Sequence, residues 1–157
     1  MPAPLYNVNS PAIALTASQT KTHFGIKAHA NSGLLLKKLG ISFDGVSASM
    51  VPPALELCYA TFATNAPGTN STSITPAQGS GRVMTAGFTA GYTWSSEPTV
   101  LTVLENFYLT PNSSTLWYDV PLAEEYDCAL GEGFALRFVT PASTNPNVRV
   151  FAKVSRC

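Results

Sequence analysis

The side chains best suited to chemistry are few and scattered. Histidine occurs twice, as His23 and His29. On an extended segment the two share a face, but their spacing separates them by roughly 20 Å, beyond the reach of one metal ion. Neither has a cysteine or carboxylate at ligand spacing, so each reads as a surface or interface histidine. Cys58, Cys128 and Cys157 form an odd set without metal-binding spacing. Free thiols made in a reducing cytoplasm are expected of them, not a disulfide framework. Glu124, Glu125 and Asp127 are the acidic cluster. Two carboxylates can work as acid and base, but adjacent ones on a loop are ordinarily solvated.

The glycine motifs lead no further. Gly131-Glu132-Gly133 lacks the third glycine and following helix of a phosphate cradle, and reads as a tight turn. Gly79-Ser80-Gly81 lacks the Gly-x-Ser-x-Gly spacing of a nucleophile elbow. Asp44-Gly45 is a turn dipeptide with no alternating Asp/Asn run for calcium. Asn70-Ser71-Thr72 and Asn112-Ser113-Ser114 match the glycosylation pattern, which has meaning only in an exported chain. These residues predict no enzyme, no cofactor and no metal centre.

Aromatic side chains offer binding in place of catalysis. Tyr92 and Trp94 share a parity beside Ser95-Ser96, and Trp117 faces away from Leu116 and Tyr118. Exposed on a sheet, such rings stack on sugars or fill a subunit interface. Covering the ends of a core is the competing use.

Composition narrows the field. The 157 residues fit one domain, and charged residues are 11%, against about 25% in a typical soluble domain. Ser, Thr and Asn fill the polar positions, which suits either a subunit packed against neighbours or a neutral hydroxyl-rich domain. Net charge is formally zero, and the adjacent Lys37 and Lys38 point to opposite faces of a strand. No footprint for nucleic acid or an anionic membrane results. No apolar run approaches the roughly 20 residues of a membrane span. The first residues, Met1-Pro-Ala-Pro-Leu-Tyr-Asn, lack the regions of a secretory signal.

Periodicity supplies the elements that must position everything else. In Leu34–Asp44, Leu35, Leu39, Ile41 and Phe43 fall on one parity, opposite Lys38, Gly40, Ser42 and Asp44. Ala54–Phe62 sets Leu55, Leu57 and Tyr59 against Glu56 and Cys58, after a turn over Gly45–Pro53. Period-two alternation marks strands with one dry face. Ala12–Ala17, Lys21–His29, a bent Val83–Thr93, Thr99–Thr110, Thr115–Leu122, Gly133–Thr140 and Asn147–Ser155 read the same way. Ala63–Arg82 reads as a long projecting loop, and Ala123–Gly131 as another. Pro2, Pro4 and Pro11 make residues 1–11 an extended arm, with Pro2, Pro4, Leu5 and Tyr6 available to clasp a neighbouring subunit. Residues 12–157 are then one all-β domain, an antiparallel β-sandwich of eight or nine strands for which a jelly roll fits best.

The succession "AIALTA", "KTHFGIKAHANSGLLLKKLGISFDG", "PPALELCYATFATNAPGTNSTSITPAQ", "GRVMTAGFTAGYTWSSEPTVLTVLENFYLTPNSSTLWYDVPL" and "GEGFALRFVTPA" resembles small virion proteins of tailed bacteriophages. The similarity runs from about Ala12 to the C-terminus, and it is to capsid decoration (cement) proteins or other minor structural subunits. It implies a compact β-rich subunit that binds the major capsid protein on the shell surface as a homo-oligomer, typically a trimer, after synthesis in the host cytoplasm. No catalytic residue comes with it. The interface it would use includes the arm residues above, Trp94 and Trp117. Two rivals stand beside it. One is a glycan- or receptor-binding module, or another minor tail protein, using Tyr92, Trp94 or the 63–82 loop. The other is a cupin-like enzyme, which needs a His/Glu metal cluster.

Overall fold

A computed structural model describes residues 3–46, 51–81, 83–99 and 101–157. Pro2, the middle of the predicted 45–53 turn, Arg82 and Val100 lie outside the described residues. Among the described residues every regular element is a strand: β1 (Leu5–Asn9), β2 (Ile13–Ala14), β3 (Thr20–Lys27), β4 (Leu34–Phe43), β5 (Ala54–Ala60), β6 (Thr72–Ile74), β7 (Ala77–Ser80), β8 (Thr89–Tyr92), β9 (Leu101–Tyr108), β10 (Thr115–Asp119), β11 (Tyr126–Cys128), β12 (Gly133–Val139) and β13 (Asn147–Arg156). All their pairings are antiparallel. They form a β-sandwich. One sheet runs β10-β4-β13-β1-β7, with β11 also on β4 and β2 on β13. The other runs β6-β8-β3-β12-β5-β9.

The alternating residues meet between the sheets. Val148, Val150, Ala152 and Val154 of β13 are buried there, as are Leu39, Ile41 and Phe43 of β4 and Phe134, Leu136 and Phe138 of β12. Burying such side chains is worth roughly 1.5–3 kcal/mol for each large one, the main favourable term in the fold.

Two strands break their own alternation. In β4, Lys38 opposes Lys153 but Leu36 opposes Val154, so Lys37 is an extra residue in the ladder. Such a bulge reverses which parity faces inward. Leu34 and Leu36 are therefore buried and Leu35 is not, against the parity expected for Leu35. In β3, Phe24 opposes Leu136 and Thr22 opposes Arg137, which makes His23 the extra residue. His23 is turned into the interior, contrary to the surface position expected of it.

Three further expectations are corrected. Residues 5–9 are not an arm: β1 lies between β13 and β7, and Tyr6 and Val8 are buried. Their alternation is short, and the prolines around them mask it. The 63–82 segment is not a free loop, because β6 joins one sheet beside β8 and β7 joins the other beside β1. The 123–131 loop contains β11, paired to β4. Short edge strands rich in Thr, Ser, Gly and Gln carry little apolar periodicity, so pairing partners define them.

The six-stranded sheet is dry on part of both faces. Cys58, Ala60, Phe62, Trp94 and Ala135 form a second, smaller core on its outer side.

Candidate functional site

The predicted interface residues separate sharply. Tyr6 is buried in β1, edge-to-face with Phe88 at 5.3 Å, and its hydroxyl donates to the carbonyl of Met84 at 3.1 Å. Pro4 and Leu5 are half-buried. Trp94 is fully buried, stacked on Phe62, and its Nε1 donates to the carbonyl of Asn65 at 2.7 Å. It cannot serve as an exposed sugar platform or interface plug, because loop 63–66 closes over it. Tyr92 is half-buried in β8. Trp117 alone of the named aromatics stays open, 59% exposed.

Trp117 stands on the outer face of the seven-stranded sheet, where pairing lines up residues from four strands. Trp117 of β10 opposes Gly40 of β4, Gly40 opposes Phe151 of β13, and Phe151 opposes Asn9 of β1. The row beside it holds Thr115, Ser42 and Arg149, and the row on the other side Asp119, Lys38, Lys153 and Asn7. Gly40 makes the arrangement possible. A Cβ there would lie 3.0 and 3.1 Å from Trp117 ring atoms and 3.3 Å from Phe151. Without one, both rings settle over the β4 backbone, edge-to-face with centroids 5.7 Å apart.

Charge brackets the rings. Lys38 Nζ lies 4.9 Å from the centroid of the indole and 2.9 Å from Asp119. A cation over an indole face is a favourable pairing with the ring quadrupole. A groove of about 380 Å³ lies along the other side, lined by Trp117, Phe151, Gly40, Thr115, Ser42 and Arg149, together with Asn9 and Ser10. Among the described residues its lining contains no carboxylate. Nearby Asp44 is engaged elsewhere: its two oxygens accept from the backbone N and Nδ2 of Asn147, both at 2.7 Å. Those bonds, with a smaller pull from Arg149, hold the Asp44 carboxyl below the ordinary range.

A second exposed feature is the sandwich side where β9 and β10 end their sheets. β9 leaves Val103 42%, Leu104 38% and Tyr108 73% exposed. The charged residue of that strand, Glu105, is used internally. It accepts from Tyr118 Oη at 2.6 Å and from Tyr126 Oη, so one carboxylate joins the edge strand of one sheet to β10 and β11 of the other. These bonds from the neutral phenols raise both tyrosines above their usual titration range.

The remaining candidates are dispersed. His29 lies outside β3 and is exposed, while burial, with Lys21 second, pulls the His23 imidazole down to about 4. Glu125 is held by Lys37 at 2.6 Å, whose hydrogen bond lowers its carboxyl, and Glu124 and Asp127 are exposed. Cys58 and Cys128 are buried, which raises both thiols to about 11. The Trp117 row had a sequence signal in Trp117 itself; Phe151 and Gly40 join it only through strand pairing. Compared with protein-family models, curated proteins and solved structures, the chain matches none.

Proposed function

We propose that this chain is a structural subunit that works by surface contact: a decoration protein on the outer shell of a tailed-bacteriophage capsid. In this reading it binds the major capsid protein, assembles as a homotrimer and performs no chemistry. The sequence resemblance supports the particle. The mode of contact rests on β9, an eight-residue strand at the end of its sheet that exposes Val103, Leu104 and Tyr108 alongside Thr102 and Asn106. Proteins ordinarily blunt such an edge with lysine, proline, a bulge or an inward-pointing charge; β9 has a bulge at Leu104 and the inward Glu105, but no lysine or proline. Glu105 is tied to Tyr118 and Tyr126, and Glu56, opposite Asn106 in the adjoining strand, is paired with Arg137, so Val103, Leu104 and Tyr108 stay exposed beside charges that are already matched. In a three-fold ring the contact is heterologous, so β9 meets a different surface on the next copy. Several linked contacts from one trimer then add as avidity on the shell.

The eight longer strands β1, β3, β4, β5, β9, β10, β12 and β13, taken in chain order, pair first-eighth-third-sixth and second-seventh-fourth-fifth. We take that interleaving as jelly-roll winding, which suits a brick-like shell subunit. The N-terminal clasp is no part of the proposal, since β1 belongs to the sheet.

The decisive experiment is quantitative peptide mass spectrometry of particles purified from the host that expresses the chain. A fixed ratio to the major capsid protein is expected. Absence, or trace copies that do not scale with the shell, overturns the proposal. Light scattering of the purified chain checks the contact: Val103→Lys with Tyr108→Glu is expected to lower the assembly to monomer.

A further inference from the structure

We infer that the outer face of the seven-stranded sheet is a saccharide-binding site, built on Trp117 and selective for an acidic pyranose. This face is a different surface from β9, and a site there is independent of the capsid role. The strand register sets Trp117, Gly40 and Phe151 in one row. With no Cβ at Gly40, the two rings rest on the backbone while Trp117 stays 59% exposed. A pyranose presents a face of C–H groups with slight positive charge, which complements the negative face of an aromatic ring.

The groove beside the indole supplies the polar half. Its volume of about 380 Å³ falls at the lower end of small-ligand sites, roughly 300–1,000 Å³. Thr115 and Ser42 bring hydroxyls that both donate and accept, and Asn9 brings an amide, matching sugar hydroxyls. A wholly apolar partner would bury these groups unpaired, at a cost in binding. Hydroxyls around an apolar ring face are the chemistry of a sugar.

Charge selects among sugars. Arg149 lines the groove and has no ion pair within 4.0 Å among the described residues. Asp119 is paired with Lys38, while Asp44, hydrogen-bonded to the neutral Asn147, keeps its charge and offsets part of that of Arg149 from beyond ion-pair distance. A guanidinium in that position is suited to a ring-borne carboxylate, which it can hold through two parallel hydrogen bonds.

The test titrates the full chain with glucuronate-terminated and N-acetylneuraminate-terminated oligosaccharides, and with their glucose- and galactose-terminated counterparts. Tryptophan emission and saturation-transfer NMR report binding. Trp94 is fully buried, so an emission change on sugar addition belongs to Trp117. Saturable binding of the acidic sugars is expected. Trp117→Ala and Arg149→Gln should each weaken it about tenfold or more, with the melting transition unchanged. Arg149→Gln should leave the weaker neutral-sugar binding as it was. Equal affinity for neutral and acidic sugars would overturn the acidic assignment. Absence of saturable binding, or binding indifferent to Trp117→Ala, would overturn the site. Loss of self-association in Trp117→Ala without any sugar binding would give the face to a second copy of the chain instead. None of these outcomes touches the copy number on particles.

Discussion

Trp94 stacks on Phe62 with ring centroids 6.3 Å apart and 25° between planes, in a space that exists because residue 25 has no side chain. A Cβ on Gly25 would lie 2.8 Å from the Trp94 ring and 3.2 Å from that of Phe62. The pair seals the outer side of the six-stranded sheet and anchors the 63–66 segment through the bond from Trp94 to Asn65. Gly25→Ala therefore overpacks a closed pocket, and a loss of about 1–3 kcal/mol in urea unfolding is expected. Hydrogen exchange should quicken in the 61–70 segment of the same variant.

His23 gives the fold a pH dependence of defined sign. Its imidazole sits edge-to-face on Phe138 at 5.7 Å, with Nδ1 lacking a hydrogen-bond partner among the described residues. Burial lowers its pKa from 6.5 to about 4. Between those values the unfolded chain binds a proton that the folded chain does not, so stability falls as pH drops through the window. From pH 7 to about pH 5.5 the loss should be about 1 kcal/mol, growing to roughly 3 kcal/mol near pH 4. Urea midpoints measured across this range check it, and His23→Leu should flatten the upper part of the curve.

Removing residues 1–11 is expected to unfold the domain and not merely to weaken a contact. The deletion takes away Tyr6 and Val8 from the core and the strand that joins β13 to β7. Lost burial alone is about 3–6 kcal/mol for two large side chains, comparable with a whole domain's stability of roughly 5–15 kcal/mol. Circular dichroism of the truncated chain distinguishes this from a detachable arm, which would leave the melting transition in place.

Glu105 should control the titration of two tyrosines. Because Tyr118 and Tyr126 both donate to its carboxylate, each keeps its proton above the ordinary tyrosine value of 10.0. The folded chain then holds protons that the unfolded chain has lost, and this contribution to stability declines as pH rises past that value. Phenolate absorbance followed against pH should show two late-titrating tyrosines. In Glu105→Ala they should return toward the normal range, and the open side of the sandwich should become more susceptible to proteolysis.

Thiol labelling should distinguish one cysteine from the other two. Cys157 is exposed, whereas Cys58 and Cys128 are buried with thiols raised to about 11 by burial. Only the thiolate reacts readily. A neutral-pH maleimide is expected to modify Cys157 rapidly in the folded chain and all three after unfolding, as read by intact mass.

Alternation of apolar and polar residues by itself determined that this chain is built of strands with one dry face, as in a β-sandwich or barrel. Val148, Val150, Ala152 and Val154, or Phe134, Leu136 and Phe138, have no other way to share a dry face. The same local signal could not reveal the bulges at Lys37 and His23, because an extra residue is defined by the strand opposite it. Those bulges decided that Leu36 and His23 turn inward. Trp94 stands between Thr93 and Ser95 and Trp117 between Leu116 and Tyr118, so immediate neighbours point the wrong way: Trp94 is sealed by the 63–66 segment and Trp117 lies open over Gly40. Burial depends on what distant segments cover a residue, and the row of Trp117, Gly40 and Phe151 exists only where three strands come into register.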